Sequence, residues 1–133
     1  MNKPMNNDRN IPINRVEEFN FELDEIRKVT MKKLFISQPM RGKSEEEIQE
    51  ERRKAIEAAE RHLGQKVEVI DSYFEDYNPD GGSIPLKYLS KSIELLADAD
   101  VAYFAKGWED ARGCRIENRC AIDYGITVIE DYK

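Results

Sequence analysis

A single acidic side chain, Glu117, stands where a carboxylate could act on a bound molecule. The apolar run at residues 101–105 precedes it and predicts a buried strand. Ile116, Cys120 and Tyr124 recur every fourth residue and predict a short helix after that strand. Ligands usually bind at such strand-to-helix turns in open parallel sheets. We therefore expect Glu117 in the first turn of the helix, where the helix dipole favours its ionised form.

Two loops carry the other residues that a binding site would use. The turn before Glu117 contains Gly107 and Gly113, which let the backbone bend and approach a ligand closely. The other loop follows a short apolar run at residues 34–36, which predicts the first strand. The candidate site residues of the two loops are Ser37, Gln38, Met40, Arg41, Gly42, Lys43, Trp108, Asp110, Arg112 and Gly113.

Strand and helix patterns alternate along the chain from residue 33. Ser44 and Glu47 have the spacing of a capping box that opens a long helix, and Gly64 is typical of its end. Pro85 suits the first turn of a second helix, and Gly125 closes a third. The predicted strands cover residues 34–36, 67–70, 101–105 and 126–129.

Strands separated by helices predict a parallel sheet with right-handed crossovers. The predicted fold class is therefore α/β, a small three-layer sandwich with a four- to five-stranded parallel sheet. The expected strand order is 2-1-3-4, with a switch point between the first and third strands, so the loops after these strands border one crevice. The long, turn-rich connection at residues 71–83 can fold over that crevice.

The first 30 residues differ in pattern from the rest of the chain. Residues 1–13 are polar and rich in Asn, which predicts a flexible arm. Residues 14–29 carry apolar side chains at 3-4-3 spacing, which predicts an amphipathic helix that docks on its own domain or on a second subunit. We therefore divide the chain into an N-terminal helical extension, residues 1–30, and an α/β domain, residues 31–133.

Charge and composition narrow the classes of partner. The net charge of −6 disfavours binding to nucleic-acid polymers and to anionic membranes. The chain has neither an apolar run long enough for a membrane span nor a signal-peptide core, so we expect a cytoplasmic location. The one histidine, His62, lacks companions at ligand spacing, so we expect no metal and no other cofactor. Cys114 and Cys120 lie too far apart along one predicted helix to form a disulfide.

The combination of residue types indicates cleavage of a bond at a sugar carbon. A carboxylate at a helix N-terminus, beside an aromatic ring, suits an oxocarbenium-like centre as nucleophile or electrostatic stabiliser. Cleavage of an N-glycosidic bond to a nucleobase produces the same sugar cation. Arg41 and Lys43 are candidate phosphate ligands, and Trp108 or Tyr73 is a candidate to stack on a base.

Several stretches resemble the nucleoside 2-deoxyribosyltransferase superfamily. Phe35-Ile36-Ser37-Gln38-Pro39-Met40-Arg41-Gly42 resembles its first-strand loop. Asp98-Ala99-Asp100-Val101, Gly113-Cys114-Arg115-Ile116-Glu117 and residues 121–125 resemble its second half. The similarity is closest to a small branch of bacteria and phages and covers residues 31–131. It implies a flavodoxin-like fold, a nucleoside or nucleotide as the small-molecule substrate, and chemistry without a metal.

The resemblance implies that Glu117, four residues after a glycine, is the catalytic nucleophile. Two positions depart from the family pattern, because Ser92 and Ala111 stand where classical transferases carry aspartates. Asp110, next to Ala111, is the candidate replacement, and the sequence does not identify the acid that assists the leaving base. The family often completes its site with a C-terminal residue of a neighbouring subunit, so we expect a homo-oligomer.

Three classes of function remain open. The first is an enzyme that cleaves or transfers the N-glycosidic bond of a nucleoside or nucleotide. The second is a non-catalytic module that binds a nucleotide or nucleotide-derived signal, which the changes at Ser92 and Ala111 favour. The third is an interaction protein whose N-terminal helix builds an oligomer. A response-regulator receiver lacks support because Ser37 and Gln38 replace its acidic pair, and the signature of a P-loop is missing.

Overall fold

The described residues form one parallel sheet covered by helices. The computed structural model describes residues 31–74 and 76–132. Its strands are β1 (Lys32–Ser37), β2 (Val67–Val69), β3 (Val101–Phe104) and β4 (Thr127–Glu130). They lie in the order β2-β1-β3-β4, and every neighbouring pair is parallel. The predicted order and direction are therefore confirmed, whereas the predicted N-terminal extension lies outside the described residues.

Three helices connect the strands, and a short 3-10 turn, Trp108–Asp110, precedes the last of them. The helices are α1 (Glu45–Leu63), α2 (Ile84–Leu96) and α3 (Arg112–Asp123). The Ser44 hydroxyl accepts a hydrogen bond from the Glu47 N–H, and the Glu47 carboxylate accepts one from the Ser44 N–H. This is the predicted capping box, which satisfies two backbone donors at the start of α1. Gly64 ends α1 in the left-handed conformation, at φ 70°.

The two faces of the sheet carry separate hydrophobic clusters because side chains alternate along each strand. One cluster joins alternate strand residues to α1 and contains Leu34, Ile36, Val101, Tyr103, Ala55 and Ala59. The other joins the remaining strand residues to α2 and α3 and contains Phe35, Ala102, Phe104, Leu96 and Ala121. Helices thus cover both faces of the sheet, which confirms the predicted three-layer α/β sandwich.

The loops after β1 and β3 begin side by side. Ser37, the last residue of β1, pairs with Phe104, the last residue of β3. The Ala105 N–H then donates a hydrogen bond of 2.9 Å to the Ser37 carbonyl. Because β1 leads to α1 on one face and β3 leads to α3 on the other, the two loops diverge from this point. The structure therefore has the predicted switch point, where a crevice opens at the carboxyl ends of the strands.

The helix that carries Glu117 begins earlier than the sequence pattern predicts. α3 starts at Arg112, so Gly113 lies inside the helix and Glu117 lies in its second turn. The expected first-turn position of Glu117 is therefore wrong. Since the helix dipole acts mainly within the first turn, it does not govern the ionisation of this carboxyl group.

Candidate functional site

The Glu117 carboxyl group is buried between two serine hydroxyls. Only 7% of the residue is exposed. Ser37 Oγ, at the end of β1, donates a hydrogen bond of 2.6 Å to Glu117 Oε1. Ser92 Oγ, on α2, donates one of 2.5 Å to Glu117 Oε2. The carboxyl group is therefore oriented from two sides, and each oxygen keeps a lone pair for a further contact.

The environment of Glu117 shifts its ionisation. Burial raises the pKa of the Glu117 carboxyl above its ordinary value, whereas the hydrogen bonds from Ser37 and Ser92 lower it. Burial is the larger of these opposing causes, so ionisation is less favoured than in water. The direction corrects the expectation that the helix dipole favours the ionised form. A raised pKa in a cleft is typical of a carboxyl group that takes part in chemistry.

A cavity of about 380 Å³ includes Glu117 in its lining and is called the Glu117 cavity here. Its walls come from the loop after β1, the connection after β2, and helices α2 and α3. Its lining includes Gln38, Met40, Ser72, Tyr73, Phe74, Tyr88, Ser92, Gly113, Cys114 and Glu117. Burial raises the pKa of the Cys114 thiol to about 11, which favours the protonated thiol near neutral pH.

Phe74 and Tyr88 form an aromatic wall of the Glu117 cavity. Their rings are stacked, with centroids 5.9 Å apart and planes inclined by 11°. Tyr77 packs edge-on against both rings, and Tyr88 Oη donates a hydrogen bond of 2.6 Å to the Tyr77 carbonyl. These contacts hold the connection after β2 against α2, as the predicted covering of the crevice requires. The two rings also give the cavity an aromatic lining.

A second space, the basic crevice, adjoins the Glu117 cavity and has a volume of about 770 Å³. The two spaces share a wall formed by Pro39, Met40, Ala111 and Gly113. The basic crevice is lined by five basic side chains, Arg41, Lys43, Lys106, Arg112 and Arg115, and by two acidic ones, Glu51 and Asp110. Lys43 Nζ forms an ion pair of 2.7 Å with Glu51. A chain of net charge −6 thus concentrates positive charge beside the Glu117 cavity.

A buried arginine, Arg52, forms hydrogen bonds with two residues that line the Glu117 cavity. Arg52 Nη1, on α1, donates hydrogen bonds to Gln38 Oε1 at 3.1 Å and to Ser72 Oγ at 3.3 Å. Ser72 Oγ in turn donates to the Ile36 carbonyl at 3.1 Å. Burial lowers the pKa of Arg52, and the charge of Asp71 raises it. Arg52 therefore fixes the loop after β1 and the connection after β2 relative to α1.

The extent of this fold agrees with a comparison against protein families. The model of a family described as a domain of unknown function, DUF4406, matches residues 32–130, from the start of β1 to the end of β4. This chain belongs to the DUF4406 family. The matched range includes every residue that lines the two spaces. The comparisons with curated proteins and with solved structures found no match.

The DUF4406 domain brings most of the predicted site residues together. Gln38 and Met40 line the Glu117 cavity, and Ser37 reaches its carboxyl group. The basic crevice contains Met40, Arg41, Asp110, Arg112 and Gly113, and Gly113 also lines the Glu117 cavity. Gly42 takes a positive φ of 79° in the turn after β1 and is in neither lining.

Trp108 lies in the core of the DUF4406 domain and in neither lining. Its ring centroid is 5.7 Å from that of Phe104 and 5.8 Å from that of Tyr132. Its Nε1 is buried and has no hydrogen-bond partner among the described residues. The other predicted stacking residue, Tyr73, does line the Glu117 cavity, next to Phe74. The aromatic surface of the cavity therefore comes from the connection after β2 and from α2.

Sequence reasoning missed several residues of the DUF4406 site. The resemblance aligns Ser92 with a site aspartate, but its hydrogen bond to Glu117 was not predicted. Arg52 carried a usable signal, because it lies four residues after Ile48 on the buried stripe of α1. A charged side chain at such a position is almost always paired or hydrogen-bonded. Phe74 and Tyr88 gave no signal, since their stacking depends on how the connection after β2 folds back.

Two further findings concern cofactors and membranes. Across residues 31–74 and 76–132 no three His, Cys, Asp or Glu side chains are grouped so that they could hold a metal ion. In that same stretch, no helix combines the length and the apolar character that a bilayer crossing needs.

Cys114 and Cys120 are both free thiols, in agreement with the predicted absence of a disulfide between them.

Replacing Ser92 with alanine is expected to raise the pKa of Glu117 further. The variant removes a donor to the ionised carboxylate, a type of contact that contributes about 1.5–3 kcal/mol, while the burial of the carboxyl group remains. Carbon-13 NMR of the Glu117 carboxyl, titrated with pH, measures the change. Ser90→Ala, at an exposed position of the same helix, is the matched control. A Ser92→Ala titration that coincides with wild type, or moves to lower pH, contradicts the hydrogen bond as described.

Proposed function

We propose that this protein cleaves or transfers the N-glycosidic bond of a nucleoside or nucleotide, with Glu117 as the nucleophile. The observation that carries the proposal is the placement of the Glu117 carboxyl, buried and fixed by two hydroxyls, in the lining of a cavity. Phe74 and Tyr88 offer a stacking surface in the same cavity. The resemblance to the nucleoside 2-deoxyribosyltransferase superfamily supports the same role for Glu117.

The proposed reaction has two steps at the anomeric carbon. In the first, a carboxylate oxygen of Glu117 bonds to that carbon, the C–N bond breaks, and its electron pair leaves with the base, which takes up a proton. In the second, water or another base bonds to the carbon, loses a proton, and releases the carboxylate. Both transition states carry oxocarbenium-like positive charge, which the ionised Glu117 stabilises. The hydroxyls of Ser37 and Ser92 hold the carboxylate in position.

The basic crevice favours a nucleotide, rather than a nucleoside without phosphate, as the substrate. It shares a wall with the Glu117 cavity, so a substrate whose sugar contacts Glu117 can place its phosphate among the basic side chains. The start of α3 adds to this, because Ala111 at the N-cap makes no side-chain hydrogen bond and Arg112 and Gly113 line the crevice. Unsatisfied N–H groups at a helix N-terminus favour an anion.

One observation favours the second candidate, a module that binds a nucleotide without turnover. Among the described residues that line the Glu117 cavity, Glu117 carries the one carboxyl group. Asp110, the predicted second catalytic residue, lines the basic crevice instead. Its catalytic role stays a prediction, and so do the homo-oligomer and the cytoplasmic location.

Incubation with a panel of substrates tests the proposed function. The panel consists of ribo- and deoxyribonucleosides and their 5′-monophosphates, alone and with a second base present, and liquid chromatography measures the free base. We expect base release from at least one member, faster from the monophosphate than from its nucleoside. If no base appears while a nucleotide raises the melting temperature, the binding module replaces the enzyme. If neither is observed, both proposals fail, and the interaction protein is preferred if truncation of residues 1–30 also dissociates an oligomer.

A further inference from the structure

The basic crevice carries more positive charge than a single phosphate group requires. Five basic and two acidic side chains line it, which leaves an excess of three positive charges. Near pH 7 a phosphate monoester carries a charge of about −1.5 to −2. The Lys43–Glu51 ion pair already neutralises one cation, and the remaining basic residues are still in excess over Asp110. One phosphate would therefore leave part of this charge without a counter-ion from the substrate.

The positive charges are also spread along the basic crevice, since they come from three separate segments. Arg41 lies on the loop after β1 and Lys106 on the loop after β3. Arg112 and Arg115 stand three residues apart on α3, so both face the same space, with their backbones roughly 4.5 Å apart along the helix axis. Guanidinium groups bind phosphate oxygens through paired N–H donors, and distributed guanidinium groups suit distributed phosphates.

The relative size of the two spaces points the same way. The Glu117 cavity of about 380 Å³ has the stacking surface and the carboxyl group that a base and a sugar need. The basic crevice, at about 770 Å³, is roughly twice as large. A single phosphate group, smaller than a nucleoside, would fill little of it. The larger of the two spaces is thus the one in which basic side chains are in excess.

We infer that the substrate of this site carries two or more linked phosphates on the 5′ side of its sugar. The base and sugar occupy the Glu117 cavity, and the phosphate chain extends past Met40 and Gly113 into the basic crevice. A nucleoside 5′-diphosphate or triphosphate has this chemistry, and so does a dinucleotide joined through a diphosphate. This inference rests on the proposed function for the order of the groups, while the preference for linked phosphates rests on the basic crevice itself.

Substrate efficiency gives the first test. We expect kcat/KM for base release to rise at least about tenfold from a nucleoside 5′-monophosphate to its 5′-diphosphate, the effect of one further charge-assisted contact. A diphosphate-linked dinucleotide in the same series distinguishes the two sources of the phosphate chain. Arg115→Gln should lower kcat/KM for the diphosphate more than for the monophosphate. The control, Arg119→Gln, changes an exposed arginine one turn further along α3 that pairs with Asp123 and should leave both values unchanged.

Binding of inorganic anions gives a second test that does not depend on turnover. Glu117→Gln protein is titrated with orthophosphate, pyrophosphate and tripolyphosphate, and calorimetry measures each Kd. We expect pyrophosphate to bind at least about tenfold more tightly than orthophosphate, and Arg115→Gln in the same background to remove most of this difference. If monophosphate and diphosphate release base equally and pyrophosphate binds no more tightly, the inference is wrong and the proposed function stands. If pyrophosphate binds more tightly but no nucleotide releases base, the preference of the basic crevice for linked phosphates holds and the proposed function is wrong.

Discussion

Glu117→Gln protein is expected to release base on the order of 10⁴ times more slowly than wild type, as when a nucleophile is removed from a catalytic unit. The amide has nearly the shape of the carboxylate but cannot bond to the anomeric carbon or offset the oxocarbenium charge. Ser37 and Ser92 can still hydrogen-bond to it, because a hydroxyl donates to the amide oxygen and accepts from the amide N–H. The fold and the cavity are therefore retained, and single-turnover chromatography of the released base measures the loss.

Asp123→Asn is the matched control for this variant. Asp123 lies on the same helix, is exposed, and pairs with Arg119 at 2.8 Å. It makes the same change of charge without altering the Glu117 cavity, so we expect wild-type rates. If both variants retain the wild-type rate, Glu117 is not the nucleophile. If both lose activity equally, the net charge of the chain, rather than this carboxyl group, is responsible.

The same Glu117→Gln substitution is expected to stabilise the fold at neutral pH. Burial raises the pKa of Glu117, which means that the folded environment favours the protonated carboxyl over the ionised one. Ionisation of the buried group therefore lowers the free energy of unfolding, and the neutral amide avoids that loss. Each 1 kcal/mol gained would raise the melting temperature by about 4–8 °C for a domain of this size. A gain in stability with a loss of activity is typical of a buried functional group.

The dependence of this effect on pH gives the decisive measurement. Because the folded pKa of Glu117 lies above the unfolded one, the folded state binds more protons between these two values, and stability falls as pH rises through that window. Below it, both states are protonated and the variant should melt at nearly the wild-type temperature. Above it, the difference in melting temperature should be constant and in favour of the variant. A difference that is absent, or that favours wild type at neutral pH, contradicts the burial of an ionisable Glu117.

The fold could be predicted from the sequence because its local patterns agree with its tertiary packing. The apolar runs around Leu34 and Val101 are buried strands on adjacent positions of the sheet. Ser44 and Gly64 mark the two ends of α1 as expected. The predicted start of α3 was wrong because Ala111, the N-cap residue, makes no side-chain hydrogen bond, and because a glycine at position 113 is typical of a turn. Helix packing decides such a boundary, and the residue types around it do not.

The candidate site was predictable only where a residue type alone implies chemistry. Glu117 and Ser37 come together as the order of strands requires. The pKa of Glu117 could not be derived, because it depends on the burial of a side chain whose neighbours are distant in the sequence. Ser92 reaches the carboxyl group through the rotation of α2 about its axis, which the sequence does not specify. Trp108 illustrates the opposite case, since its aromatic ring suggests stacking on a base but lies in the core.

The hydrogen bond between Ser37 and Glu117 joins residues that are 80 positions apart. A ribosome that adds about 5–20 residues per second needs roughly 4–16 s to pass from the first residue to the second. During that interval β1 has neither its neighbour β3 nor the helix that carries the carboxyl group, so Phe35 lacks the neighbours in its cluster that come from them, Ala102, Phe104 and Ala121. The face of β1 that carries Phe35 therefore stays partly uncovered until β3 and α3 have been made, and the site is assembled only after residue 117 has emerged.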